Sequence, residues 1–277
     1  MIFVHFKYIL GFKCMNNKKN KGGSVFSETS EGAAKSAEGL YIGADEVRAA
    51  AAELEKYRAA KQNLEARIKD NEHRKYYHLI LLAKNYDGYK NLIKIVSEGH
   101  TEGMYYGKPR ISHEILEKYH DNLICCSACL AGEVPQNIMA GNLDGAREAI
   151  KWHKDLFGDD YYLEVMLHKT EIPGLSMEVY EQQAKVDETI FALAQEMGVK
   201  TVATNDAHFI KKEDGPVHDR LICLTTNALV DDPKRLRYTQ QEYIKSEEEM
   251  RDLFPDHPEA IDNTEEIVSK IESYDID

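Results

Sequence analysis

The stretch Val199-Lys200-Thr201-Val202-Ala203-Thr204-Asn205-Asp206-Ala207-His208-Phe209 reads as a short buried strand, Thr201 to Thr204, running straight into an Asn-Asp-x-His cluster. Side chains two apart on an extended chain point to the same side. Asp206 and His208 are therefore expected to face one space at the C-terminal mouth of a strand. A carboxylate and an imidazole placed that way make half of a divalent-metal site. The competing reading is a polar turn after a strand, with Asp206 capping and His208 at the surface. Partners supplied from elsewhere in the chain decide between the two.

Outward from this stretch, strands and helices alternate. Tyr76 to Leu82 and Asn122 to Cys126 read as apolar strands, as does Tyr161 to Met166. Asp87 to Glu98, Ile111 to Tyr119 and Val134 to Ala140 read as helices. Leu143 to Phe157 carries Leu143, Ala146, Ile150, His153 and Phe157 at spacings 3, 4, 3, 4, with Gly158 as its stop. Leu175 to Met197 is a long helix with Val179, Val186, Ile190, Leu193 and Met197 on one face. Such alternation predicts a parallel sheet covered by helices, and a β/α barrel or partial barrel is favoured because its sites lie at C-terminal strand ends. Asp231-Asp232-Pro233 opens a turn-rich connector, Glu242 to Lys245 reads as a strand, Ser246 starts a capped helix to Leu253, and a last helix runs from Pro258 to Ile271.

The front of the chain differs. Residues 14 to 39 read as a flexible loop rich in Lys, Asn, Gly, Ser and Ala. Ala44 to Asp70 reads as a helical arm, its larger apolar residues Val47, Leu54, Tyr57, Leu64 and Ile68 making a narrow stripe. The domain expectation is thus an atypical segment 1–74, a portion of alternating strands and helices at 75–230, and a connector with helices at 231–277.

Net charge is −13 over 277 residues, so the chain offers no broad basic face for phosphate backbones; the basic tract at 16 to 21 reads as a solvated loop. No apolar run reaches about 18 residues, so no membrane partner is expected. Met1 to Phe12 lacks a basic lead and a small-residue cleavage site, so no signal peptide is expected. Five cysteines, two of them adjacent, fit a reduced, cytoplasmic compartment.

The strand ends supply partners. His78 lies on its strand with Ile80 and Leu82 on the same face, as a core histidine or a ligand. Cys129 follows the strand ending at Cys126, where it is a small buried residue or a thiolate within reach of a metal. Glu164 lies inside the third strand. His168 follows it, as a loop residue or a group behind the ligands.

Several blocks resemble one family. They include Tyr77-His78-Leu79-Ile80-Leu81-Leu82-Ala83-Lys84-Asn85, Cys126-Ser127-Ala128-Cys129-Leu130-Ala131-Gly132-Glu133-Val134-Pro135, Phe157-Gly158-Asp159-Asp160-Tyr161-Tyr162-Leu163-Glu164 and Ala203-Thr204-Asn205-Asp206-Ala207-His208-Phe209. Together with His218-Asp219-Arg220 and Asp231-Asp232-Pro233, they are similar to the alpha subunit of bacterial DNA polymerase III (DnaE type), in its N-terminal polymerase-and-histidinol-phosphatase (PHP) domain. The resemblance covers roughly residues 75 to 272. It implies an α/β fold, a distorted or incomplete PHP-type β/α barrel that is TIM-barrel-like and seven-stranded in the family. It implies a divalent-metal cofactor (Zn, Mn or Mg), partly or wholly lost, with His78, Cys129, Asp206 and His208 as metal positions. His168, Glu164 and Asn205 stand behind them or face substrate, and no catalytic residue is assigned.

The family opens with a His-x-His strand and an Asp-His-Gly cluster. Only His5 and His73 precede His78, so these motifs are missing, and Ile42-Gly43-Ala44-Asp45-Glu46-Val47 matches the family's glutamate strand only faintly. The resemblance therefore implies a fragment of a DNA-directed DNA polymerase that is inactive alone. Its implied partners are the rest of the DNA polymerase III holoenzyme and the proofreading exonuclease subunit, with DNA reached through the full-length polymerase. The alternatives are a non-catalytic scaffold for that exonuclease and a free-standing PHP phosphatase.

Overall fold

The computed structural model describes residues 2–4, 52–58, 76–105 and 107–276. Two compact units divide the chain, residues 1–6 with 76–277 and residues 7–75. Of the second unit, residues 52–58 are helical, and all seven side chains, Leu54 and Tyr57 included, are exposed. The rest of the expected arm, the 14–39 loop with its basic tract, His5, His73 and the 42–47 segment lie outside the described residues.

The first unit is built on a sheet of five strands in the order β1 (Ile2–Val4), β2 (Tyr77–Ala83), β3 (Leu123–Cys126), β4 (Tyr161–Val165) and β5 (Lys200–Ala203). β3 and β4 are buried along their whole length, as continuous apolar runs require. Pairing is parallel for β1–β2, β3–β4 and β4–β5, but β2 runs antiparallel to β3, with Ile80 opposite Cys126 and Leu82 opposite Ile124. The expected all-parallel sheet is corrected to a mixed one. Apolar runs specify burial but not direction, so periodicity carried no information on this point.

Helices α1 (Tyr86–Thr101), α2 (His113–Tyr119), α3 (Glu133–Met139), α4 (Leu143–Phe157) and α5 (Glu178–Met197) follow the expected order with ends shifted by a few residues. Local chemistry sets those ends. The Asn85 and Asn142 side chains cap α1 and α4 by accepting from the Gly88 and Gly145 N–H groups, each at 3.1 Å. Gly198 closes α5 in a left-handed conformation (φ 63°), which a residue without Cβ adopts at no steric cost. Helices α6 (Gly215–Thr226), α7 (Glu247–Leu253) and α8 (Pro258–Ser269) complete the unit. The Ser246–Glu249 capping box is present as expected; α6 was not anticipated from the sequence. Glu242–Lys245 is no strand: a single bridge joins Tyr243 to Phe209.

The sheet separates two apolar layers. Leu79, Leu81, Cys125, Tyr161, Leu163 and Val165 face a core shared with Ile150, Ile190 and Leu193 of the helices. Ile80, Leu82, Ile124, Cys126, Tyr162 and Val202 face the other side with Ile267 of α8. Each fully buried side chain such as Leu163 contributes about 1.5–3 kcal/mol. α8 is tied to the sheet by Asn263 Nδ2, which donates to the Thr201 carbonyl at 2.8 Å, and by Lys270, which donates to the Tyr162 hydroxyl at 2.8 Å and the Asp159 carbonyl at 2.7 Å.

Candidate metal-binding mouth

Strand parity puts His78, Ile80 and Leu82 on one side of β2, the side that also carries Cys126, Tyr162 and Glu164. The antiparallel direction of β2 matters here. Ile80 pairs with Cys126, so His78 projects past the C-terminal end of β3, where the Ser127–Cys129 turn begins. His78 Nδ1 lies 3.5 Å from Cys129 Sγ. Had β2 been parallel, as expected, His78 would sit at the far end of the sheet.

Asp206 and His208 also meet, with Oδ2 to Nε2 at 3.5 Å. The expected reason is corrected. The strand ends at Ala203, and Asp206 takes a left-handed backbone (φ 39°), so a turn rather than extended alternation joins the pair. The His208 N–H donates to the Glu242 carbonyl at 2.7 Å, which fixes the turn against the following segment. Burial pushes the Cys129 thiol up, and the Asp206 and Glu164 carboxylates raise it further, so the two pairs share one electrostatic neighbourhood.

The residues behind these pairs are tightly bonded. Glu164, buried in β4, accepts from the Ala128 N–H at 3.1 Å and from the Thr204 hydroxyl at 2.5 Å. Ala128 holds a left-handed φ of 62°, so this carboxylate secures the strained turn that presents Cys129. His168 accepts at Nδ1 from Gln183 Nε2 (3.1 Å) and donates from Nε2 to the Asn205 carbonyl (3.2 Å). Both its nitrogens are engaged, and burial lowers its basicity. Asn205 Nδ2 donates to the carbonyls of Gln241 and Tyr243, each at 2.7 Å, and its Oδ1 accepts from Lys245 at 3.1 Å. It brackets the 241–245 segment.

Three further groups line the mouth. The rings of His218 and Tyr238 lie 5.5 Å and 4.9 Å from His208, and Glu242, buried, accepts from the Thr239 hydroxyl at 2.5 Å. Burial pushes the Tyr238 phenol up, and the nearby Asp206, Glu242 and Cys129 add to the shift. These groups come from α6 and the long connector after it, which no local spacing relates to Asp206; only the His218-Asp219-Arg220 block hinted at them.

The donor set of the mouth fits a divalent ion in kind, since imidazole, thiol and carboxylate suit borderline metals. It stands as two pairs rather than one closed set. Among the described residues, the group of three His, Cys, Asp or Glu donors whose atoms lie within 4.8 Å of one another is elsewhere, at His113, Glu133 and His153. That second group sits on the opposite, helix-covered face of the sheet: His153 stacks on Tyr161 at 5.1 Å, and Glu133 acts on Tyr77, one residue and one face away from His78. His153 was legible only as a polar member of an apolar helical stripe.

The chain is 43% identical over 201 residues to the DNA polymerase III subunit alpha of Borreliella burgdorferi, a match covering 72% of this chain and 17% of that protein. It is 39% identical over 214 residues to that of Campylobacter jejuni (73% and 17%) and 40% identical over 211 residues to that of Treponema pallidum (74% and 17%). The chain thus spans about a sixth of the length of the curated relatives it matches. The family model for the PHP domain matches residues 7–168, more than half of the chain, beginning well ahead of the blocks that are continuous from residue 75. With its strand-end histidines, cysteine and aspartate, this chain belongs to the PHP-domain family.

Proposed function

We propose that this chain is the PHP portion of a replicative DNA polymerase III alpha subunit, and that its mouth is one wall of a metal-dependent phosphoesterase site. The carrying observation is that two donor pairs, His78 with Cys129 and Asp206 with His208, stand at one end of one sheet face, with the Asp206 carboxylate acting on the Cys129 thiol. The relatives named as DNA polymerase III alpha subunits support the biological setting, a cytoplasmic role in DNA replication within the holoenzyme. Among the described residues no helix is long and apolar enough to cross a membrane. The sheet is read as the larger part of the distorted, seven-stranded barrel of the family.

His78, Cys129, Asp206 and His208 would hold a zinc, manganese or magnesium ion. Such an ion, when bound, supplies Lewis acidity and a water that ionises near neutral pH, the chemistry of phosphoester hydrolysis. The chain's own residues shape the site around it. Glu164 keeps the Cys129 turn in place, and His168 and Asn205 lock the Asp206 turn between β5 and the 241–245 segment. Tyr238 keeps its proton at neutral pH and can donate it in a hydrogen bond to a phosphate oxygen.

Polymerisation by this chain alone is not expected, and hydrolysis of a generic phosphomonoester is expected to be weak. The separation of the four ligands into two pairs favours a second reading, a scaffold for the proofreading exonuclease subunit. Cobalt substitution tests the metal reading. A thiolate-to-cobalt charge-transfer band in the near ultraviolet that disappears in Cys129→Ser supports it. Absence of that band, with capture of the exonuclease subunit intact in Asp206→Ala, decides for the scaffold. Templated primer extension by the isolated chain would overturn the expectation of an inactive fragment.

A further inference from the structure

We infer that His113, Glu133 and His153 form a second divalent transition-metal site, structural in role, that pins α2, α3 and α4 together on the helix-covered face of the sheet. One donor atom of each lies within 4.8 Å of the other two. His113 and Glu133 are the first residues of α2 and α3, and His153 lies inside α4, so three separate elements converge.

The hydrogen bonds indicate which atoms are free. His153 Nδ1 lies 2.8 Å from the Ala149 carbonyl, which can only accept, so Nδ1 carries the proton and Nε2 carries the lone pair. His153 is 1% exposed, and its Nε2 has no hydrogen-bond partner. Metal-ligating histidines commonly donate their other nitrogen to a carbonyl in this way, which fixes tautomer and ring orientation. Glu133 Oε2 is likewise buried without a hydrogen bond; His113 Nε2, at 3.6 Å, is too far for one. A plain His113–Glu133 ion pair engages Glu133 Oε2 but leaves the buried His153 lone pair unused, whereas a cation uses both.

The surroundings support the same reading. Trp152 stands edge-on to both imidazoles, with ring centroids 4.1 Å from His113 and 4.8 Å from His153, while Tyr161 stacks on His153 from the sheet side. These rings hold two ligands in orientation and exclude water. Two imidazoles and a carboxylate, with one position left for water, suit zinc or cobalt better than the oxygen-loving magnesium or calcium. Tetrahedral ligands stand about 3.3 Å apart, so the cluster contracts on binding. His113, in the first turn of a short helix and partly exposed, is the member able to move.

The site contains no sulfur, which separates it experimentally from the mouth. In a Cys129→Ser, Asp206→Ala, His208→Ala background of the full chain, cobalt titration is expected to give one equivalent with visible d–d bands and no near-ultraviolet thiolate band. Zinc at 100-fold over its Kd should raise Tm by about 5–10 °C. Glu133→Gln, which keeps shape and packing, should abolish both signals while leaving the metal-free Tm and circular dichroism close to those of the background. His153→Ala should do the same for metal binding. No d–d band in the background chain, or a band and Tm rise that survive in Glu133→Gln, overturns the assignment; either result leaves the reading of the mouth intact, because that rests on the thiolate band of the unmodified chain.

Discussion

The two sides of the sheet treat their buried polar groups differently. At the mouth, Glu164, His168 and Asn205 are bonded to backbone or hydroxyl partners, and their task is to hold the turns that carry Cys129 and Asp206. One mouth-lining oxygen, Glu242 Oε2, is buried without a hydrogen bond, whereas on the helix-covered side His153 Nε2, Glu133 Oε2, Asp187 Oδ2 and the Tyr161 hydroxyl all are. The mouth is therefore held by bonded supports. The helix layer keeps unpaired lone pairs inside, where they either meet a cation, as at His113–Glu133–His153, or titrate, as at Asp187.

Asp187 offers the largest test of that contrast. Burial raises its carboxyl to about 8 from an ordinary value of 3.8, against a smaller opposing hydrogen bond from the Met166 backbone. A raised folded-state pKa means that stability is fully present below about pH 4 and is lost as pH rises towards 8. Urea unfolding should show the free energy falling by up to about 1.4 kcal/mol per pH unit across that window. Asp187→Asn should flatten the profile; an unchanged slope would mean that the helix layer does not hold Asp187 in its protonated form.

At the mouth, Glu164→Ala is expected to cost about 3 kcal/mol, since it strands the Ala128 N–H and the Thr204 hydroxyl and frees a strained turn. Glu164→Gln should recover part of this, because an amide oxygen can still accept one of the two bonds. Equal losses in both variants would show that charge rather than bonding supports the mouth. Asn205→Ala should cost about 2 kcal/mol and raise the proteolytic sensitivity of the 241–245 segment, through the loss of two carbonyl partners and one lysine contact.

The smallest effect belongs to a pair on the outer surface of the helix layer. Arg147 holds Glu196 with two bonds, at 2.7 and 3.0 Å, but on an exposed surface. A double-mutant cycle on this pair should give less than about 1 kcal/mol. A larger coupling would weaken the view that buried bonding, not surface pairing, distinguishes the two regions.

Much of the fold was legible locally. The apolar runs of β3 and β4, the α4 stripe ending at Gly158 and the Ser246–Glu249 capping box follow from periodicity and end chemistry that neighbouring residues settle among themselves. The 242–245 segment differs from a strand because Tyr243 makes one bridge, its carbonyl then accepts from Asn205, and Lys245 donates to the same Asn205. α6 escaped notice because its apolar residues, including Leu221 and Leu224, are largely exposed and make no core stripe.

By itself, the sequence determined which residues could carry chemistry and roughly where strands end, because side-chain type and short-range periodicity are local properties. The tertiary structure alone decided that β2 runs antiparallel and so delivers His78 to Cys129, that a left-handed Asp206 turns its carboxylate towards His208, and that His113, Glu133 and His153 meet behind the sheet. Strand direction, turn closure and helix convergence depend on hydrogen bonds and packing between residues far apart in the chain, and no spacing along the chain encodes them.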